Sequence, residues 1–342
     1  MIEKTSNRIE WIDKIKAFAC VLVVLGHFVK SMDESGILSS SVLNWLVSAI
    51  YMFHVYLFFF CSGYVYSLTT KDKNNYSYGK FILNKLVALG VPYFTFSTIT
   101  VLMKMLASSD VNTEADGLLY TLFIEPTAPY WYLYVLFLLF LIIPPFNRAK
   151  SSNRVCVYIS LAISVALRII FATGILSSLN LPYFINSIMR CSIWFVLGMS
   201  ASTLKIKFSK KYLPYGVALF VVFIALSIVT YCLNISNTML TLVLEIIAVV
   251  SLVILFSCSN VKTSKIEKVL FKYNFPIYLM HTIFAAGIRI LLVKLGITAW
   301  YIHIPVGLVA TFVGPIITYY IMEKSKILEI FIYPTKLIKI SH

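Results

Sequence analysis

Apolar runs long enough to cross a bilayer recur from one end of this 342-residue sequence to the other. A span needs about 20 apolar residues to cover roughly 30 Å of hydrocarbon. Ten such stretches are readable, at residues 12–29, 42–68, 81–106, 131–145, 155–173, 184–204, 213–233, 239–258, 275–295 and 300–322. Hydrophobic residues make up 60% of the chain, charged residues 13%, and the mean hydropathy is +0.87. A soluble domain has too little interior for that much apolar side chain and too few charges here to cover its surface. The expected fold is therefore all-α and polytopic, because a chain in lipid must satisfy its backbone groups within each span. Residues 1–342 read as a single membrane-embedded domain, with no stretch resembling a second, soluble one.

The net charge of +15 would suggest nucleic acid in a soluble protein, but its distribution gives another cause. Lysines and arginines gather in alternate loops: Lys4, Arg8, Lys14 and Lys16; Lys71, Lys73 and Lys80; Arg148, Lys150 and Arg154; then Lys205 to Lys211, Lys262 to Lys272, and Lys324 to Lys339. The opposite side carries only Lys30 and Lys294, and its longest loop holds Asp110, Glu114, Asp116 and Glu125 with no base. By the positive-inside rule this predicts ten spans, both termini in the cytoplasm, and no nucleic-acid partner. The expected location is a cell membrane, with lipid as the surrounding partner. The six cysteines have no CxxC spacing and are read as small buried hydrophobes, without disulfide or metal. No small-residue cleavage site closes the first apolar run, which argues against a cleaved signal. The connection from 107 to 130 has room for a short surface helix.

Ionisable groups inside hydrocarbon are costly, so each one asks for a partner or a task. The first span holds Asp13, Lys16 and, after an apolar stretch, Gly26-His27. Eleven residues of helix bring His27 to within about 20° of Lys16 and about 16 Å farther along the axis, and Asp13 shares the same face. Lys16 falls at the cytoplasmic rim and His27 toward the outer leaflet. The second span carries His54 near mid-membrane and Ser62-Gly63, a small helix-contact surface. Lys80 and Lys85 flank the start of the third span, and Trp131 opens the fourth as an interfacial aromatic that also suits a sugar. Arg168, Arg190 and Arg289 lie in the outer halves of their helices. Glu245 is the acid well inside a span, and Arg190 is its expected ion-pair partner. His281 is placed in the cytoplasmic half of the ninth span, and His303 at the wet outer interface.

Several of these segments together resemble the integral-membrane acyltransferase-3 family. The resemblance rests on Lys16 to Gly26-His27, on Phe53-His54 through Ser62-Gly63-Tyr64, on Lys80 to Lys85 with Pro92-Tyr93, and on Trp131-Tyr132-Leu133. Trp194 to Gly198 and Phe275 to His281 extend it, in family order, over most of the chain. In the third span, Lys80 and Lys85 stand where the family is richer in arginine, and Ala88 occupies a commonly basic position. The resemblance implies an enzyme that moves an acyl group, usually acetyl, from acyl-CoA to a saccharide hydroxyl. The acceptor would be a cell-surface saccharide or its lipid-linked precursor, as in stand-alone members without an appended hydrolase-like domain. Imidazole, with an unperturbed pKa near neutral, suits the removal of the hydroxyl proton, so His27 is the expected general base or else a transient acyl carrier. Lys16 and Asp13, helped by Lys80 or Lys85, would receive the CoA phosphates. His54, Arg190, Glu245, Trp131 and His281 remain as acceptor-binding or supporting residues. A transporter or flippase of lipid-linked sugars is the alternative; the sequence shows no repeat of the kind many transporters carry.

Overall fold

A computed structural model describes residues 9–69, 77–107, 111–112, 117–144, 152–259 and 261–338, without the side chains of 152–154. The expected topological charges at Lys4, Arg8, Lys71, Lys73, Arg148, Lys150, Arg154 and Lys339, and the loop acids Asp110, Glu114 and Asp116, lie outside those residues or side chains. Among the described residues the fold is helical and contains no strand. Nine helices among the described residues are long and apolar enough to cross a membrane.

The first is α1 (Glu10–Glu34), one unbroken helix carrying Asp13, Lys16 and His27. The second expected span is divided. α2 (Ser41–Tyr51) and α3 (His54–Thr69) meet at a tight turn in which the amides of Met52 and Phe53 reach back only three residues. The third is α4 (Tyr78–Lys85), a π-helical turn at Leu86–Gly90, and α5 (Val91–Leu106). Pro92 brings no amide to the helix ladder, and a π turn immediately before it absorbs the mismatch. The long connection contains the six-residue α6 (Leu118–Phe123), pinned by the Tyr93 hydroxyl, which donates to the carbonyl of Leu122 at 2.8 Å.

The expected span at 131–145 is the exception in length. Its helix, α7 (Trp131–Ile142), has 12 residues and so rises about 18 Å, short of the hydrocarbon thickness. It is enclosed by the other helices: Leu133, Val135, Leu136, Leu139 and Phe140 are all buried. Six helices follow, α8 (Ser152–Thr173), α9 (Tyr183–Thr203), α10 (Leu213–Cys232), α11 (Thr238–Cys258), α12 (Lys265–Lys294) and α13 (Trp300–Met322). A short α14 (Lys326–Glu329) and a 3-10 turn at Pro334–Lys336 close the described chain. α12 starts about ten residues before its apolar run, because Ser264 and Glu267 form a capping box that extends the helix into polar sequence.

Polarity is arranged for lipid. Val217, Val221, Val222 and Ile228 of α10 face outward, as do Val309, Val313 and Ile317 of α13. Small polar residues sit inside, with Ser67 of α3 and Thr203 of α9 joined at 2.8 Å between their hydroxyls. α3 and α9 cross at their glycines. A Cβ at Gly63 would stand 1.9 Å from the carbonyl oxygen of Phe195, and one at Gly198 would stand 2.0 Å from that of Phe60. Gly63 is thus the helix-contact residue expected from Ser62-Gly63, whereas Ser62 turns to Tyr132, 3.0 Å between hydroxyls. Of the cysteines, Cys20, Cys61, Cys191 and Cys258 are buried, but Cys156 and Cys232 lie on exposed faces; all six are free thiols.

Candidate active site

Two cavities lie along α1, and both are lined by its charged face. One, of about 330 Å³, is reached by Asp13 and Lys16, with Ser62, Asn274 and Tyr333 on its other walls. The second, of about 370 Å³, is lined by His27, Lys30, His54, Trp131, Tyr183 and Arg190. Each is within the size range of small-molecule sites. The shared face expected for Asp13, Lys16 and His27 therefore opens into two chambers. They are called here the lysine cavity and the histidine cavity.

Phe58, Tyr132 and Tyr278 line both. Their ring centroids are 5.6 Å (Phe58–Tyr132), 6.3 Å (Phe58–Tyr278) and 5.9 Å (Tyr132–Tyr278) apart, which is contact distance for aromatic pairs. The three rings form a partition. The Tyr278 hydroxyl donates to the carbonyl of Pro129 at 2.5 Å, and that of Tyr132 bonds Ser62. Each tyrosine is thus held by a different element.

The histidine cavity owes its shape to two local features. The break between α2 and α3 leaves the carbonyl of Ile50 to take the Phe53 amide at 3.2 Å and the His54 Nδ1–H at 2.7 Å. That bond puts the proton on Nδ1 and leaves Nε2 of His54 as the acceptor. Gly26 provides the second feature, since a Cβ there would lie 2.6 Å from the Tyr51 ring. The missing side chain lets Tyr51 lie over α1, with its hydroxyl 3.5 Å from Nδ1 of His27, a long contact for a hydrogen bond. Tyr51 carried no signal in the sequence beyond its place three residues before His54.

His281 is not where its sequence position suggested. Its ring stands 5.3 Å from that of His27, level with it, because the capping box extends α12 backward and leaves His281 mid-helix. Nδ1 of His281 donates to the carbonyls of Tyr278 at 2.8 Å and Ile277 at 3.1 Å, and its buried Nε2 has no partner. His303 is likewise buried, not wet, and Nε2 donates to the carbonyl of Ile297 at 2.7 Å.

The expected pairing of Arg190 with Glu245 is corrected by the structure. Glu245 pairs with Arg168 at 2.6 Å and accepts from the Tyr56 hydroxyl at 3.3 Å, with both ionic side chains buried. α8 and α11 are neighbours, which no sequence spacing reveals. Arg190 instead lies over the Trp131 ring, its guanidinium carbon 5.2 Å from the centroid, and faces the histidine cavity.

The third-span lysines part company. Lys85 is within electrostatic reach of Lys16 and packs over the ring of Phe140, 4.5 Å from its centroid. Lys80 is exposed and lines neither cavity. Sequence reasoning also missed the C-terminal segment. Tyr333 lines the lysine cavity, anchored by buried Ile332 and by Glu329, which pairs with Lys336 at 2.5 Å and accepts from the Tyr319 hydroxyl at 3.1 Å.

The model of the acyltransferase domain of the acyltransferase-3 family matches residues 9–320, a stretch that includes all of these site residues except Tyr333. The chain belongs to this family. It is accordingly a multi-pass helical member of a membrane acyltransferase family. The chain is similar to nodulation protein NolL of Mesorhizobium japonicum, 26% identical over 162 residues. That match covers 47% of the chain and 41% of NolL, so the chain spans less than half of the relative's length. No solved structure matches.

Proposed function

We propose that this acyltransferase carries an acetyl group from acetyl-CoA, taken up at the lysine cavity, to a saccharide hydroxyl in the histidine cavity. One observation carries the proposal. Lys16 and His27 lie on one helix but in separate cavities, and the cavities meet at the three-ring partition. Lys16, with Lys85 in electrostatic reach, would hold CoA phosphates at one end. The pantetheine arm would run along α1 over the rise of about 16 Å between the two residues. The thioester would then stand beside His27.

Transfer requires the acceptor hydroxyl to lose a proton as its oxygen attacks the thioester carbon. His27 takes that proton on Nε2, with the proton on Nδ1 directed at Tyr51. When the carbon–sulfur bond breaks, the thiolate recovers the proton, leaving free CoA and the ester. His54 and His281, each with its proton fixed on Nδ1, orient the acceptor or the imidazole by their Nε2 lone pairs. Trp131 and Tyr183 offer faces to a sugar ring. The lysine-rich end would be cytoplasmic by the positive-inside rule, with both termini there and the acceptor presented from the other side of a cell membrane. Acceptors of this class are surface saccharides or their lipid-linked precursors.

Deleting the gene should remove O-acetyl signals from the NMR spectrum of surface glycans. Wild type should restore them, and His27→Ala should restore less than about one-hundredth, the scale of a lost general base. O-acetylation unchanged by the deletion would overturn the proposal, and loss of the whole glycan would instead indicate sugar export.

A further inference from the structure

The histidine cavity has an unbalanced charge. Its lining includes two cations, Lys30 and Arg190, and no carboxylate. Lys30 is half exposed and paired with Glu34 at 3.6 Å, so it is already answered. Arg190 is not. It forms no ion pair with any described residue, and its Nε is buried without a hydrogen-bond partner. The nearest buried acid, Glu245, has its charge held by Arg168 and the Tyr56 hydroxyl, which leaves one carboxylate for two guanidinium groups. The Trp131 face eases burial of the cation without neutralising it. A half-buried guanidinium with its Nε shut from solvent and no counter-charge is costly unless something brings the missing charge.

We infer that Arg190 is a subsite for an oxyanion on the acceptor, so that the acetylated saccharide is acidic or is presented on a phosphate. The inference rests on the acyltransferase function proposed above. Guanidinium matches carboxylate and phosphate alike, through two parallel N–H donors. Trp131 extends the subsite toward a sugar ring, and His27 lies on the same cavity wall system. An anion held at Arg190 thus fixes which hydroxyl faces His27. The CoA phosphates do not serve this cation, because Lys16 lines the other cavity, across the partition, with Lys85 in its electrostatic reach.

A deletion strain carrying the full-length wild type, His27→Ala, Arg190→Lys or Arg190→Gln tests this at equal protein level. O-acetyl content is measured by NMR on surface glycan and by mass spectrometry on the extracted lipid-linked saccharides. The apparent KM for acetyl-CoA is measured in membranes with the endogenous acceptor. The expected acetylated saccharide carries a carboxylate or phosphate on the acetylated residue or its neighbour. Arg190→Gln should lower O-acetyl content at least tenfold, Arg190→Lys should retain severalfold more than Gln, and the acetyl-CoA KM should not move. Acetate on an acidic sugar identifies carboxylate as the anion; acetate already present on a neutral lipid-linked saccharide identifies the carrier phosphate.

Three results would overturn the inference while sparing the acyltransferase function. These are a neutral saccharide acetylated only in the mature polymer, full O-acetylation by Arg190→Gln, and a raised acetyl-CoA KM in that variant. O-acetylation that survives the gene deletion would overturn both.

Discussion

Replacing Gly63 with alanine tests whether the α3–α9 crossing holds the site together. The new Cβ would stand 1.9 Å from a backbone oxygen, that of Phe195, and the backbone cannot swing aside as a flexible side chain would. The helices must part by about 1.1 Å before the contact reaches even 3.0 Å. A gap of that size forfeits a quarter to a half of each neighbouring dispersion contact, so the cost is expected at the upper end of overpacking, about 3 kcal/mol. Gly198 makes the reciprocal approach to Phe60, one helical turn away on each strand of the crossing. The separation that admits one methyl group therefore partly admits the other. The double variant should cost less than the sum of the two singles by at least about 0.5 kcal/mol. Thermal unfolding in detergent, followed by tryptophan fluorescence, should show Gly63→Ala falling by about 5 °C or more. Gly287→Ala is the control: nothing lies within 4 Å of a Cβ there, so its Tm should hold or rise slightly. A Gly63→Ala melting point within 1 °C of wild type, or strict additivity in the double variant, would refute the close crossing.

Lys16→Ala should raise the apparent KM for acetyl-CoA about tenfold or more, the scale of one charge-assisted hydrogen bond, with an unchanged KM counting against phosphate binding at the lysine cavity. Arg168→Met leaves Glu245 buried without its partner and should cost about 3–5 kcal/mol in the same melting assay. Arg190→Met, which removes a cation without an ion-pair partner, should leave the melting point near wild type or above it; the reverse order would restore the pairing of Arg190 with Glu245. At the C-terminal segment, the Lys336 ammonium, bonded to Glu329, holds that carboxyl below its ordinary value of 4.5. A lowered folded-state value means the anchor is present above the unfolded value and is lost as pH falls through the folded one. Amide hydrogen exchange in this segment, corrected for its intrinsic rate, should therefore accelerate at acid pH, below about 4.5. Glu329→Gln should be cut faster by trypsin near Lys336 already at pH 7, which a protease-digestion series can check.

How much of this was legible depends on what fixes each feature. Hydrocarbon demands helices, so the apolar runs located nearly all of them, and α7 differs only in being too short to cross by length. Helix geometry alone put Asp13, Lys16 and His27 on one face. Neighbour relations between helices have no such periodic signal. Arg168 and Arg190 are equivalent in sequence terms, and only packing decides which meets Glu245. The depth of His281 was misplaced for a different reason: hydropathy discards polar turns, yet Ser264-Lys-Ile-Glu267 is a readable helix start. The turn at Met52–Phe53 contains neither proline nor glycine, so nothing local announced it. Tyr51 and Tyr333 reach the site through that turn and through a segment too short for hydropathy to register.

The two cavities also show where the fold resists opening and where it does not. A path from lysine cavity to histidine cavity has to pass Phe58, Tyr132 and Tyr278. No charge holds those rings in place. Tyr132 is fixed by one neutral hydroxyl pair and Tyr278 by one bond to a carbonyl, each worth about 0.5–1.5 kcal/mol net. Beside the histidine cavity, Arg168 and Glu245 tie α8 to α11 with a buried ion pair whose rupture costs several times more. Under the proposed chemistry this division is what transfer across a bilayer needs. The partition must yield to a thioester arm once per turnover and close against ions afterwards, while the helices that frame it stay fixed. Tyr132→Phe, which removes the hydroxyl but keeps the ring, should loosen the partition without merging the cavities; Tyr132→Ala should merge them. On that proposal the barrier to passage resides in ring packing, and the specificity for what lies beyond it in the histidines and Arg190.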